Sequence, residues 1–209
     1  MVNVSAYGQR LCPAARVVFL LAGVALASSC ASDTVREGRG GSFLILDALE
    51  ASSGAEESPV FSTVLQSDVQ TGGGVFEDPG RVQMRLALKD VGTPGNPNQP
   101  TTNNFITVNR YRVTFRRSDG RNQPGVDLPY GFDGAATFTV GLAPTSATFS
   151  IVRAQAKLEP PLMNMRGLGG AVAISTLADV TFFGRDQAGN EVSVTGTISI
   201  NFADWADPQ

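Results

Sequence analysis

Three arginines carry the clearest chemical suggestion in this sequence. Arg110, Arg112 and Arg116 fall on one parity of a segment that reads as extended, so they would project from one strand face about 7 Å and about 14 Å apart. Arg85 stands on the polar parity of a second such segment. A stripe of guanidinium groups can grip carboxylates, sulfates or phosphates through paired N–H donors. It can equally face lipid headgroups, or pair with acids on neighbouring strands and keep an exposed sheet in solution. With 19 Asp and Glu in the chain, pairing is the expected use.

Most catalytic chemistry is closed to the chain. It has no histidine, which removes Ser-His-Asp and Cys-His catalysis, histidine general bases and histidine-ligated zinc together. Gly72-Gly73-Gly74 has neither a lysine nor a helix-like segment behind it, so it reads as a loop and not as a nucleotide cradle. A carboxylate-based glycan hydrolase is the least favoured reading. No spacing among Asp119, Asp127, Asp133 and Asp186 singles out an acid and a base. Glu77 and Asp78 precede Pro79-Gly80 and read as turn residues. No cofactor is expected. Calcium would find its loop carboxylates in Asp119, Asp127 and Asp133, although no twelve-residue calcium loop is present.

The N-terminus reads as an export signal. Arg10 and Arg16 make its start basic, and no acidic residue occurs before Asp33. The apolar run from Val17 to Ala27 would rise about 16 Å as a helix, half the hydrocarbon thickness and too short to span it. Ala25-Leu26-Ala27 offers a small-x-small cleavage site, which would release a soluble secreted protein. Alternatively, Leu26-Ala27-Ser28-Ser29-Cys30 resembles the lipobox of bacterial lipoproteins, with its leucine four residues before the cysteine where three is usual. The resemblance implies that Cys30 is acylated, becomes the first mature residue and holds the protein on membrane lipid. Ala31, in place of the aspartate that retains such proteins at the inner membrane, implies the outer membrane. Cysteine usage agrees. Cys12 lies in the discarded segment, so Cys30 alone survives, and acylation removes an otherwise unpaired thiol.

Loss of Arg10 and Arg16 leaves 14 basic against 19 acidic side chains. That balance gives no general reason to bind nucleic acid. Of the remaining basic residues only Lys89 and Lys157 are lysine; the rest are arginine. Residues 31–42 are small, polar and glycine-rich, and read as a tether.

Beyond the tether the hydrophobic period is two. Strands are expected at Phe43 to Leu46, more weakly at Val60 to Val69, and at Val82 to Leu88, where apolar and polar residues alternate. The proline- and asparagine-rich stretch 92–104 is expected to hold no sheet. Along 105–117 the apolar parity switches after Val108, which a β-bulge near Asn109 would reconcile. Ser118 to Arg121 reads as a turn. Further strands are expected at Ala135 to Val140, Thr148 to Leu158, and Ala171 to Phe183, where Val172, Ile174, Ala178, Val180 and Phe182 share a face. Asp186, Gly189 and Asn190 turn the chain into a last arm whose apolar residues also fall on even positions.

The segment Gly184 to Thr197, with its D-x-x-G-N turn, resembles the last hairpin of bacterial immunoglobulin-like modules. The resemblance implies that topology and an adhesive, spacer or assembly role. The expected architecture is all-β, a single antiparallel β-sandwich, immunoglobulin-like or related. It divides into a signal peptide at 1–29, an anchor site and tether at 30–42, the sandwich at 43–204 and a tail at 205–209. Tyr111 and Phe115 belong to the core, Trp205 could cap the open end of the sandwich or serve as an exposed contact, and Tyr130, between Pro129 and Gly131, fits either core or contact. The leading expectation is a non-catalytic envelope lipoprotein, a structural or protein-interaction module meeting other envelope proteins or surface glycans. The alternative is a sandwich that binds an anionic ligand or glycan through its arginine-rich face.

Overall fold

The computed structural model describes residues 40–205, Glu57 excepted. Cys30, the signal before it, most of the tether and the tail past Trp205 therefore lie outside the described residues. In chain order the strands begin with β1 (Ser42–Ala51), β2 (Val64–Asp68), β3 (Asp78–Leu88), β4 (Gly92–Thr93) and β5 (Asn96–Pro97). They continue with β6 (Ile106–Arg116), β7 (Phe132–Val140), β8 (Thr145–Val152), β9 (Ile174–Asp186) and β10 (Glu191–Ala203). Between β8 and β9 lie a one-turn helix, α1 (Ala154–Lys157), and a 3-10 turn over Leu162–Met165.

These strands build a five-stranded sheet in the order β2-β10-β9-β6-β7, a three-stranded sheet β1-β3-β8, and the small hairpin β4-β5. Several expectations are corrected. The pairing is not wholly antiparallel, because β2 runs parallel to β10. Stretch 92–104 does hold a hairpin, with Gly92 at positive φ opening it. The strand expected to reach Leu158 stops at Val152, and α1 follows. Val172 stands outside β9 and is exposed. The bulge falls where the parity switch requires it, between Val108 and Arg110, against both β7 and β9.

The inner faces of the two larger sheets meet in an aromatic cluster. Tyr111 of β6 lies edge-on to Phe149 of β8 with centroids 5.0 Å apart, and Phe149 meets Phe182 of β9 at 5.2 Å. Edge-to-face contacts of this kind add to the stabilisation from burial alone. Two strand glycines make room for the rings. A Cβ on Gly134 would stand 2.2 Å from the Tyr111 ring, and one on Gly80 would stand 2.6 Å from Phe149. Either side chain would open the cluster.

The turn between β9 and β10 shows how sequence fixes local geometry. Asp186 Oδ1 accepts hydrogen bonds from the Ala188 and Asn190 N–H groups, and Oδ2 accepts one from Asn190 Nδ2. Gly189 takes the positive φ (84°) that the turn needs. The arms then pair in register from Glu191↔Arg185 to Phe202↔Ile174, which sets the outer face across β9 and β10.

Candidate functional site

Cross-strand register assembles the outer face of the five-stranded sheet into rows. In one row Thr195 of β10, Thr181 of β9, Arg112 of β6 and Asp133 of β7 stand side by side. The two threonine hydroxyls share a 2.8 Å hydrogen bond, and Arg112 donates from Nε and Nη2 to Asp133 at 3.0 and 2.9 Å. In the next row Arg110 lies over the ring of Phe183, 4.1 Å from its centroid, while its Nη1 reaches Asp133 at 3.3 Å. On the other side Thr197 and Arg116 both donate to Asp179, at 2.6 and 2.7 Å. At the far end Thr107 and Thr139 share a 3.0 Å hydrogen bond, and Arg185 pairs with Glu191.

The sheet thus brings Arg110, Arg112 and Arg116 together, each with an aspartate. Asp133 is held below the ordinary carboxylate range, chiefly by its hydrogen bonds from Arg112. Burial pushes Asp179 upward, yet Arg116 and Thr197 together leave it below its ordinary value. The same bonds raise Arg112 and Arg116. These aspartates stay charged, so the face is a mosaic of fixed, mutually neutralising charges and not a free cationic stripe. About half of each of the three arginine side chains is open to solvent.

Arg85 does not join them. It projects from β3 in the other sheet and pairs with Asp47 at 2.9 Å. Trp205 follows β10 at the β2 edge, where its backbone N–H donates to Asp68. Its side chain is partly exposed. Tyr130 is exposed and folds back over Gly125, whereas Tyr111 and Phe115 are buried in the core.

The three aspartates suggested for calcium serve other partners. Asp119 accepts from Arg117 and Arg121, Asp127 accepts the Gln123 N–H, and Asp133 sits on the arginine face. Among the described residues no group of three or more cysteines or carboxylates could hold a metal ion. None of the described helices is long and apolar enough to cross a membrane.

A second polar constellation was not visible in the sequence. Asp78, expected in a turn, begins β3 and is fully buried. Its Oδ1 accepts hydrogen bonds from Lys157 Nζ at 2.8 Å and the Gly54 N–H at 2.9 Å, and its Oδ2 accepts from Ser67 Oγ at 2.6 Å. Lys157 on α1 and Ser67 on β2 are buried as completely. Burial is the largest influence on Asp78 and pushes its carboxyl above the ordinary value, against the lowering effects of Lys157, Ser67 and Gly54. The one available signal was compositional, since Lys157 is one of only two lysines.

Comparison with known proteins returns no matching family model, no matching curated protein and no matching solved structure.

Proposed function

We propose that this chain is a non-catalytic binding module of the cell envelope that recognises glycans through the outer face of its five-stranded sheet. The observation that carries the reading is the row structure of that face. Arginine–aspartate forks and threonine hydroxyl pairs are held in register across four strands, with Arg110 stacked on Phe183. An arginine has five N–H donors, and Asp133 takes two from Arg112, so donors and carboxylate lone pairs remain for vicinal sugar hydroxyls. Because the aspartates neutralise the arginines, the face suits a neutral or weakly charged glycan better than a dense polyanion. Fixed side chains also lower the entropic cost of binding.

The immunoglobulin-like reading is supported by the strand order, with β1-β3-β8 set against β2-β10-β9-β6-β7. Export and acylation at Cys30 rest on the N-terminal sequence. The lipobox reading is tested by mass spectrometry of the N-terminal peptide from native membranes. A peptide beginning at unmodified Ser28 overturns it.

The glycan reading is tested on a panel of neutral, carboxylated and sulfated polysaccharides. Binding to neutral or weakly charged members is expected to persist at high salt and to fall at least tenfold in Arg112→Ala and Thr181→Val. Binding to sulfated chains alone, abolished by salt, would favour the simple anion reading. No binding to any member, or binding indifferent to both substitutions, would return the chain to a structural or protein-interaction role.

A further inference from the structure

The chain places one amine against one carboxyl with neither exposed to solvent. Lys157 Nζ and Asp78 Oδ1 stand 2.8 Å apart, the two residues are 1% and 0% exposed, and 79 positions of chain separate them. An ion pair in such a place is expensive, because both charges forgo hydration. Where the task is only to pair charge, arginine is the better residue, with its planar fork and weaker hydration. Arginine supplies the cation in the pairs with Asp47, Glu50, Asp119, Asp133, Asp179 and Glu191. The chain's other lysine, Lys89, lies outside the buried core, over the ring of Phe43. The buried pair uses a primary amine instead. A guanidinium is a poor nucleophile, whereas a desolvated lysine amine is a good one.

We propose that Lys157 and Asp78 condense to an intramolecular amide that ties α1 to the start of β3. The step begins with one proton passing from Lys157 Nζ to the Asp78 carboxyl across their 2.8 Å hydrogen bond, which frees the nitrogen lone pair. Burial holds the Asp78 carboxyl toward its protonated form. The Gly54 N–H polarises the carboxyl at Oδ1, and the Ser67 hydroxyl donates to Oδ2 at 2.6 Å. The amine lone pair attacks Cγ, a carbon–nitrogen bond forms, and the bond from Cγ to Oδ2 breaks. Oδ2 leaves as water, carrying one proton received at the carboxyl and one given up by the attacking nitrogen. An ammonium and a carboxylate thus become one amide and one water, with no oxidant or co-reactant. Ser67 and Gly54 are positioning residues for this step.

The test is mass spectrometry of the denatured, full-length protein after trypsin digestion. Lys157 in an amide resists cleavage, so peptide 40–81 is expected joined to peptide 154–166, lighter than their sum by one water. Peptides 154–157 and 158–166 are then absent. Lys157→Arg and Asp78→Ala remove the branched species. Asp78→Asn, which keeps the acceptor shape, gives the same branched mass with loss of ammonia in place of water. Because the reading on unsubstituted protein needs no variant to fold, misfolding of a variant does not blunt it. Complete cleavage after Lys157, with peptide 40–81 at its full mass, overturns the proposal. Ser67→Ala, allowing for the one oxygen the substitution removes from peptide 40–81, is expected to show the same loss of one water but to reach it at least tenfold more slowly, and an unaltered rate would remove Ser67 from the mechanism.

Discussion

Arg112 and Lys157 sit almost equally close to an aspartate, at 2.9 and 2.8 Å, yet the two pairs live in different physics. Arg112 and Asp133 face water on an open sheet, where attraction is screened and opening the pair costs little hydration. Lys157 and Asp78 share a site without solvent, where attraction is strong and each charge left alone would be ruinous. The outer pairs can therefore be spent on recognition, since the fold does not depend on any one of them. The inner pair belongs to the fold itself, joining α1 to the junction of β2 and β3 through Ser67 and Asp78.

The largest expected effect comes from breaking the inner pair on one side. Lys157→Met leaves the Asp78 carboxyl buried without its partner, at a cost of about 3–5 kcal/mol. For a domain of this size that lowers the thermal midpoint by roughly 10 °C. The double variant Lys157→Met with Asp78→Leu restores apolar packing and, for a simple ion pair, would recover most of the loss. A protein that loses a covalent tie recovers less, because closing a chain segment of this length contributes about 4 kcal/mol. Calorimetry of the single and double variants therefore sharpens the contrast between the regions.

Ser67→Ala comes next. Wherever Asp78 is still a free carboxyl, it removes the donor to Oδ2 and leaves a buried oxygen without that hydrogen bond, which costs about 1–3 kcal/mol in chemical denaturation. On the outer face the corresponding change should leave stability unmoved. Arg112→Ala and Arg116→Ala are expected to unfold at the same denaturant concentration as the parent, while ligand binding falls. A marked loss of stability in either would break the comparison, because it would make the face structural.

Much of this contrast was open to sequence reading on one side only. The period-two alternation located the principal strands. The parity switch at Asn109 located the bulge, and with it the fact that Arg110, Arg112 and Arg116 share a face. Their acid partners were expected as a class, because an exposed strand face needs them, but register alone could name Asp133 and Asp179. The parallel β2–β10 pairing left no local mark, since parallel partners are joined by distant chain and not by a turn. Asp78 beside Pro79-Gly80 carries the local chemistry of a turn, and Lys157 falls where β8 has already ended. Their meeting depends on the path from β8 through α1, which is set by tertiary packing. Buried polar pairs of this kind are long-range facts.

The smallest effect expected is a difference in pH response. Asp133 and Asp179 have folded-state values below the ordinary 3.8, so their contribution is present above that pH and is lost as acid protonates them. Asp78 has the opposite sign. With its folded value raised, the folded state binds the proton more readily than the unfolded state, and a free Asp78 would favour folding as pH falls through that raised value toward the ordinary 3.8. An amide carbon cannot titrate, so the unsubstituted protein should show no such gain. Lys157→Gln, which cannot form the amide and removes a lowering influence on Asp78, should show it. The same acid-side gain in both proteins would mean that Asp78 is a free acid in each. The inner pair would then differ from the outer ones in burial alone, and not in bonding.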